Sequence, residues 1–138
     1  MKAAIVYWSG TGNTEAMAQA VAAGVQNADV SLLTCSEFDA SMLADFDAIA
    51  FGCPSMGAEE LEETEFEPMF SACEGSLSGK RIALFGSYGW GDGEWMRNWA
   101  DRCTYAGAVF AADFVICQDA PDADAVEQLK ALGAALTA

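Results

Sequence analysis

Two runs of consecutive apolar residues in the middle of the chain most strongly restrict how it can fold. Residues 48–51 read Ala-Ile-Ala-Phe and residues 82–85 read Ile-Ala-Leu-Phe, with no polar side chain in either run. A strand with one face in water alternates apolar and polar residues, whereas a strand inside a parallel sheet is covered on both faces. The two runs therefore predict inner strands of a parallel sheet with helices on both sides.

Strand and helix patterns alternate along the rest of the chain. The predicted strands are residues 2–7, 29–34, 47–52, 81–86 and 108–117, the last with a point of interruption near residues 111–113. The predicted helices are residues 14–26, 66–74, 93–106 and 123–136. This alternation, with no linker, repeat or low-complexity segment, predicts a single doubly wound α/β domain over residues 1–138.

Three loops are expected to share one edge of this sheet. Ligands of doubly wound sheets bind beyond the carboxyl ends of the strands, where the strand order reverses. The loops after the first, third and fourth strands cover residues 8–14, 53–59 and 87–91. We expect these three segments to converge on a ligand.

The first loop predicts a phosphate site built from uncharged donors. It lies where a strand turns into a helix, so its backbone N–H groups and the helix dipole point at one place. Ser9, Thr11 and Thr14 supply hydroxyl groups, and no Lys or Arg is present between residues 7 and 15. A phosphate held by neutral donors alone points to flavin mononucleotide (FMN).

Two better-known phosphate loops each lack a required residue here. A nucleotide-hydrolase loop needs Gly-Lys-Ser/Thr, whereas this chain has Gly12-Asn13-Thr14. A dinucleotide fingerprint needs a third glycine at the position of Glu15. The alternative to a phosphate site is a turn of small residues that binds no ligand.

The other two loops carry features that suit a flat aromatic ligand. Met56 offers a polarizable apolar surface, and Gly57 allows a peptide to change orientation at low cost. Trp90 lies between two glycines, in a position typical of an aromatic platform rather than of a core residue. The alternatives are that Met56 fills the core and that Trp90 packs on its own domain.

The composition limits the partners and the compartment. Six basic and 21 acidic residues give a net charge of −15, which disfavours nucleic acid and anionic membranes. Five widely spaced cysteines and no histidine predict neither a zinc nor an iron–sulfur site and agree with a reducing compartment. No apolar stretch is long enough for a membrane span, and no basic segment precedes a signal-like run. We expect a cytoplasmic protein that is monomeric.

These motifs together resemble a known family. The segments YWSGTGNTE, MGAEELEE and LFGSYGWGDGEWM begin at residues 7, 56 and 84. In this order they are similar to the phosphate loop and the two flavin loops of flavodoxins, of the short-chain kind found in anaerobic bacteria. The likeness covers all 138 residues, and no long insertion divides the last strand as in the long-chain branch.

The resemblance implies a fold and a set of contacts to FMN. The fold would be a flavodoxin-like three-layer doubly wound one, with a five-stranded parallel sheet in the order 2-1-3-4-5. Met56 would cover the inner face of the isoalloxazine, Trp90 would stack on its outer face, and the Glu59 carboxylate would accept a hydrogen bond from flavin N3–H. The full set of implied cofactor-binding residues is Trp8, Ser9, Gly10, Thr11, Gly12, Asn13, Thr14, Pro54, Ser55, Met56, Gly57, Ala58, Glu59, Ser87, Tyr88, Gly89, Trp90 and Gly91.

Within this set, one position departs from the family pattern. Ala58 stands where relatives often carry Asp, Asn or Ser next to the glycine of the flavin loop. The difference concerns the energetics of the turn, and through them the reduction potential, rather than FMN binding.

The function implied by the resemblance is electron transfer, not enzymatic catalysis. FMN would cycle between semiquinone and hydroquinone as a low-potential one-electron carrier. Implied partners are redox enzymes with basic patches, such as ferredoxin-linked oxidoreductases, a flavodoxin reductase, and hydrogenase or nitrogenase systems. Six glutamates between residues 59 and 67 form either a docking surface or a solvated segment at a helix start.

Two other functional classes remain as alternatives at this point. A flavodoxin-like NAD(P)H-dependent quinone or FMN reductase would need room for a second substrate over the flavin, where Trp90 is expected. A phospho-receiver domain would need an aspartate at the end of the third strand and a lysine after the fifth. Those neighbourhoods hold Gly52-Cys53 and Gln118.

Overall fold

The chain folds into a parallel sheet with helices on both faces. A computed structural model describes residues 1–138. The strands are β1 (Lys2–Tyr7), β2 (Asp29–Thr34), β3 (Ala48–Gly52), β4 (Arg81–Tyr88), β5 (Val109–Phe110) and β6 (Val115–Gln118). The α-helices are α1 (Asn13–Gly24), α2 (Phe66–Glu74), α3 (Glu94–Tyr105) and α4 (Ala123–Leu136).

The order of the strands confirms the expected doubly wound topology. Neighbouring strands follow the order β2-β1-β3-β4, and all pairs are parallel. Both β5 and β6 pair with the remaining edge of β4, and together they form the fifth position of the sheet. The predicted order 2-1-3-4-5 is therefore correct, with the fifth strand present as two pieces.

The interruption of the fifth strand falls where the sequence changes character. Arg81 and Ile82 of β4 pair with β5, and pairing resumes at Phe85 with β6. Between the two pieces, the Ala111 N–H still donates to the carbonyl of Ile82 at 2.9 Å. Residues 111–113 are Ala-Ala-Asp, which are poor strand formers, so the ladder is lost there.

The two faces of the sheet carry different side chains. Large residues of β3 and β4, including Phe51 and Leu84, meet α2 and α3 in the larger core, together with Trp99. The opposite face of the same strands is built largely of alanines, such as Ala50 and Ala83, and meets α1 and α4. Small side chains let these two helices lie close to the sheet and to each other.

Helices α1 and α4 cross with their backbones in contact. A Cβ atom at Gly24 would collide with the carbonyl oxygen of Lys130, and one at Gly133 would collide with that of Val21. Only glycine fits at a crossing this close, because any larger residue places a carbon atom where the neighbouring backbone already lies.

Most predicted boundaries agree with the structure to within one or two residues, and the main omission is a pair of 3-10 helices. These short helices, Cys35–Glu37 and Ala40–Asp45, fill the connection between β2 and β3. The first is held by Glu37, whose carboxylate accepts from the Thr34 N–H at 2.9 Å. Segments of three to six residues are too short to show a helical period. None of the helices combines the length and the apolar character that crossing a membrane requires.

Candidate cofactor-binding site

The three predicted loops meet at one cavity of about 240 Å³ at the carboxyl edge of the sheet. The residues that line it are Trp8, Ser9, Gly10, Thr11, Asn13, Thr14, Pro54, Ser55, Met56, Ser87, Tyr88, Gly89 and Asp119. All of these except Asp119 belong to the set expected from the sequence. The expected residues outside the lining are Gly12, Gly57, Ala58, Glu59, Trp90 and Gly91.

The phosphate loop ends in a helix start that lacks a side-chain cap. Gly12 precedes α1 with a φ of +97°, and its carbonyl accepts from the Ala16 N–H at 3.0 Å. The Gly12 N–H donates to Ser9 Oγ at 3.1 Å, which closes the loop on itself. A Cβ at Gly12 would meet nothing within 4 Å, so the backbone angle rather than space requires glycine here.

Thr14 provides the test of whether a phosphate fits this loop. Its side chain is only 1% exposed, and its Oγ1 has no hydrogen-bond partner in the protein. A buried hydroxyl group without a partner is costly, and native structures seldom keep one. Thr14 also lines the cavity at the first turn of α1, so an anionic oxygen bound there would satisfy the hydroxyl.

Trp8 connects the first loop to neighbouring elements of the fold. Its backbone N–H donates to the Gly52 carbonyl at 3.0 Å, and its indole Nε1–H donates to Glu65 Oε1 at 3.3 Å. The six-membered part of the ring lies against Gly10, where a Cβ would be 2.9 Å from Trp8 Cη2. The backbone of Trp8 therefore ties the loop to β3, and its indole ties the loop to the start of α2.

The second loop is a tight turn closed by two backbone hydrogen bonds. Met56 and Glu60 exchange N–H to carbonyl bonds of 2.8 and 2.9 Å. Between them, Gly57 and Glu59 adopt φ values of +54° and +56°. Met56 is 38% exposed, so its side chain is not a core residue.

Glu59 holds the second unpartnered polar group of the site. Its Oε1 is buried and has no hydrogen-bond donor, and it lies against Gly91, where a Cβ would be 2.5 Å away. A buried carboxylate oxygen without a donor is as costly as an unpartnered hydroxyl. A hydrogen-bond donor brought to this oxygen would remove that cost.

The third loop is tied to the second by a buried indole. Trp95, at the start of α3, donates from Nε1 to the Cys53 carbonyl at 3.1 Å. The Tyr88 ring packs against the Trp95 indole, with ring centroids 5.6 Å apart. Trp90 is 64% exposed, so it does not pack on its own domain as an ordinary core tryptophan would. Its flat surface is free to receive another ring.

The six glutamates between residues 59 and 67 do not form one uniform solvated segment. Glu62 is 5% exposed and its carboxylate accepts from the backbone N–H groups of Thr64, Glu65 and Phe66 at 2.9, 2.7 and 2.9 Å. Burial raises the pKa of this carboxyl, but these bonds and one from the Thr64 hydroxyl outweigh it and lower the pKa overall. Glu62 is thus a structural group at the start of α2.

Two more of these glutamates are engaged in specific contacts. Arg102 donates to both carboxylate oxygens of Glu67 at 2.7 Å, which lowers the pKa of that carboxyl. Glu65 accepts from the Trp8 indole. Glu60 and Glu63 are exposed and make no side-chain hydrogen bond, so they are the free charges of the segment. The interpretation as a solvated segment therefore holds for only part of the run, and the docking surface stays a prediction.

Asp119 lines the cavity but was not predicted from the sequence. It follows β6 directly, with a φ of +57°, and its N–H donates to the Tyr88 carbonyl at 2.9 Å. The signal that could have found it is the rule used for the other loops, because the fifth strand ends at the same edge of the sheet. An aspartate after a strand is also a common turn residue, so its type alone does not indicate that it lines the cavity.

This fold and this cavity define a class: doubly wound α/β proteins with a ligand-sized cavity at the carboxyl end of β1, here lined without any basic side chain. The family model described as Flavodoxin matches residues 5–133 of the chain. The chain therefore belongs to the flavodoxin family.

Individual relatives agree with this assignment. A flavodoxin from Clostridium beijerinckii is 47% identical over 120 residues, which cover 86% of this chain and 87% of that protein. A flavodoxin from Megasphaera elsdenii is 46% identical over the same length and with the same shares. The solution structure of the two-electron reduced Megasphaera elsdenii flavodoxin has a TM-score of 0.90, with 98% of each chain covered and 44% identity.

Family membership settles the class of function. Flavodoxins bind FMN and are electron-transfer proteins rather than enzymes. The residues present fit this cofactor, because Thr14 Oγ1 lacks an acceptor at the phosphate loop and Glu59 Oε1 lacks a donor beside Gly91.

Proposed function

We propose that this protein is a low-potential one-electron carrier that binds FMN non-covalently and cycles it between semiquinone and hydroquinone. The observation that carries the proposal is the phosphate loop without a basic residue, whose buried Thr14 hydroxyl has no partner in the protein. Bound FMN supplies the redox chemistry, and the residues of the chain hold it, cover it and set the charge around it.

At the phosphate end, we assign binding to the hydroxyl groups of Ser9, Thr11 and Thr14 and to the amide of Asn13. Backbone N–H groups from Trp8 or Ser9 to Thr14 would complete the cradle, and Ser9 is the better start of this run because the Trp8 N–H already donates to the Gly52 carbonyl. The support is that the side chains of this loop line the cavity beside the first turn of α1. The helix dipole favours an anion at this place.

At the ring end, we assign Met56 and Trp90 to opposite faces of the flavin. Both side chains are exposed, as expected for surfaces that await a ligand. Glu59 would accept from the ring N3–H, and backbone N–H groups near Gly89 and Gly91 would donate to the pyrimidine edge. Pro54, Ser55, Ser87 and Tyr88 frame the ring, and each of these four lines the cavity.

The turn between Met56 and Glu60 would respond to reduction of the flavin. We propose that the peptide between Gly57 and Ala58 turns its carbonyl toward the proton gained at N5. The positive φ of Gly57 and the open space around its Cα support this, because such a turn can rearrange without a steric collision. One added hydrogen bond contributes about 0.5–1.5 kcal/mol.

Charge supports a low potential for the second electron. The chain has a net charge of −15, and the loop assigned to the phosphate holds no cation. Two unit charges ~10 Å apart at an effective dielectric constant of ~20 repel by roughly 1.7 kcal/mol, before screening by salt. Several such repulsions oppose the formation of an anionic reduced flavin, which suits a strong reductant.

The decisive experiment is a visible spectrum of the FMN-reconstituted protein during stepwise anaerobic reduction. We expect a bound flavin that passes through a blue neutral semiquinone before it bleaches. Direct two-electron bleaching would contradict one-electron cycling. Absence of FMN binding would contradict the proposal as a whole.

We further propose that the partners are redox enzymes with basic patches, met by a monomeric carrier in the cytoplasm. Glu60 and Glu63 are free, exposed charges beside the Met56 turn, and they would attract such patches toward the flavin. The candidate partners are ferredoxin-linked oxidoreductases, a flavodoxin reductase, and hydrogenase or nitrogenase systems.

Docking through these glutamates can be tested with a ferredoxin-linked oxidoreductase as partner. Replacing Glu60 and Glu63 together by Gln is expected to slow association and to flatten its dependence on salt. The control replaces two exposed acidic residues of α4, Asp124 and Glu127, with the same change in net charge. Equal effects in the two double variants would show that only the total charge matters.

A further inference from the structure

The end of the fifth strand clamps the third loop of the site. Gln118, the last residue of β6, donates from Nε2 to the Gly89 carbonyl at 3.1 Å. The next residue, Asp119, donates its N–H to the Tyr88 carbonyl at 2.9 Å. The Ser87 hydroxyl donates to the Asp119 carbonyl at 2.6 Å. Three consecutive residues of the loop segment are thus bonded to two residues of its neighbour.

Asp119 has a backbone conformation that is uncommon for a non-glycine residue. Its φ of +57° lies in the left-handed region, which costs most non-glycine residues about 1–2 kcal/mol, although Asp and Asn adopt it more readily than the others. Such strain persists only where the surrounding contacts determine the conformation, and it is concentrated at functional sites. Here the backbone bonds to Ser87 and Tyr88 supply those contacts.

The strained conformation places the carboxylate of Asp119 against Gly89. A Cβ at Gly89 would lie 3.9 Å from Asp119 Oδ1, and both residues line the cavity. A full negative charge therefore lies beside the peptide that we assign to the pyrimidine edge of the flavin.

We propose that Gln118 and Asp119 are positioning residues of the flavin site: Gln118 fixes the Gly89 peptide, and the Asp119 carboxylate beside that peptide opposes the second reduction. The inference rests on the proposed FMN site. Because carbonyl and N–H point in opposite directions across a trans peptide, the bond to Gln118 directs the Trp90 N–H away from Gln118. The peptide thereby has one orientation before any ligand arrives.

The charge is tested with Asp119→Asn, which keeps the side-chain shape and tolerates the left-handed conformation. We expect the equilibrium constant of the second one-electron reduction to increase by about threefold to tenfold, or about 28–59 mV. The control is Asp113→Asn, which removes the same charge from an exposed position at the interruption of the fifth strand. A shift no larger in Asp119→Asn than in Asp113→Asn would overturn this part.

The clamp is tested with Gln118→Leu, which keeps the volume and cannot donate. In the apoprotein, we expect faster hydrogen exchange at the Asp119 amide, which donates to the Tyr88 carbonyl within the clamp, and in the holoprotein a dissociation constant for FMN about tenfold higher. Gln128→Leu, at an exposed position of α4, is the control and should leave both unchanged. Exchange rates and FMN affinity like those of the wild type in Gln118→Leu would overturn the clamp.

The two experiments separate this inference from the proposed function. If the wild-type protein binds no FMN, the proposed function fails, whereas the exchange rates of the apoprotein still report on the clamp. If FMN binds normally and both variants behave as their controls do, only the inference fails.

Discussion

At the scale of single residues, left-handed backbone conformations are concentrated around the cavity. Among non-glycine residues, Asn27, Glu59 and Asp119 have positive φ values, and the last two belong to the loops of the site. Gly12 and Gly57 share this conformation. Glycine adopts this conformation freely, whereas Glu59 and Asp119 keep it through the hydrogen bonds around them.

Gly57 offers a direct measure of this local cost. Gly57→Ala is expected to destabilise the apoprotein by about 1 kcal/mol, because a Cβ in the left-handed region is strained. Gly75→Ala is the matched control, since both sites are open within 4 Å but Gly75 has a φ of −68°. Urea unfolding of both variants checks this, with Gly75→Ala neutral or slightly stabilised. Equal costs at the two positions would contradict the role of the backbone angle.

Site residues could be predicted from the sequence where their type is unusual for its place. Three hydroxyls without a lysine in the first loop, and a tryptophan between glycines in the third, are such cases. Asp119 is an ordinary turn residue by type, and only the course of the chain brings it to the cavity. Glu62 likewise belongs to an acidic run, and nothing local marks it as the buried member.

At the scale of elements, the start of α2 depends on that one buried carboxylate. A helix leaves its first backbone N–H groups without partners, and Glu62 accepts from three N–H groups at this point. The same residue donates its N–H to Cys53 Sγ at 3.3 Å, beside the end of β3. One side chain thus links the second loop of the site to the helix that follows it.

Replacing this carboxylate should expose its role through pH. Glu62→Gln is expected to cost about 1–3 kcal/mol at neutral pH, because an amide nitrogen replaces one accepting oxygen. The folded state lowers the pKa of Glu62, so its contribution is fully present above the ordinary value of 4.5 and is lost as pH falls through the lower folded pKa. The difference from the wild type in denaturant unfolding should therefore shrink at acid pH. The exposed Glu63→Gln is the control, and a difference independent of pH would contradict the assignment.

The crossing of α1 and α4 gives a prediction whose sign is informative. Helix propensity alone would make Gly133→Ala stabilising by about 1 kcal/mol. The contact with the Val21 carbonyl predicts the reverse, a cost of about 1–3 kcal/mol or more, because the helices must move apart. Thermal and urea unfolding of the variant decide between the two. Increased stability would show that the crossing is looser than the structure indicates.

Elements were predictable in proportion to their length and apolar character. The predicted bounds of β3, β4 and α4 agree with the structure to within one or two residues. The two strands were indicated by their apolar runs, and the helix by its periodic pattern. The short 3-10 helices after β2 carry no periodic signal and depend on local side-chain bonds such as that of Glu37. The split of the fifth strand was suggested by its composition, but the pairing of both pieces with β4 required the structure.

At the scale of the whole molecule, charge works against stability. A net charge of −15 on 138 residues produces self-repulsion that the folded state must overcome. The four ion pairs use only Arg97, Arg102 and Lys130 among the basic residues, so most carboxylates have no cationic neighbour. The overall topology followed from the alternation of elements, whereas this balance of charges was evident from composition alone.

Salt should therefore stabilise the apoprotein. Raising the ionic strength from about 0.01 M to about 1 M shortens the Debye length from about 30 to about 3 Å and screens the repulsion. A gain of about 1 kcal/mol would raise the Tm by about 4 °C, measured by thermal unfolding. At about pH 4, where many carboxyls are protonated, the response should be smaller. An equal response at pH 4 and pH 7 would point to a salt effect unrelated to charge.

The gap between β5 and β6 has a consequence for how such a fold can grow. The β4 ladder is complete on either side of the gap, and a single backbone bond from Ala111 spans it. Extra chain that leaves and returns between residues 111 and 114 would break no strand pair, and none of these residues lines the cavity. The gap is thus a site where a subdomain could be inserted, in evolution or by protein engineering, without changing the residues that line the cavity.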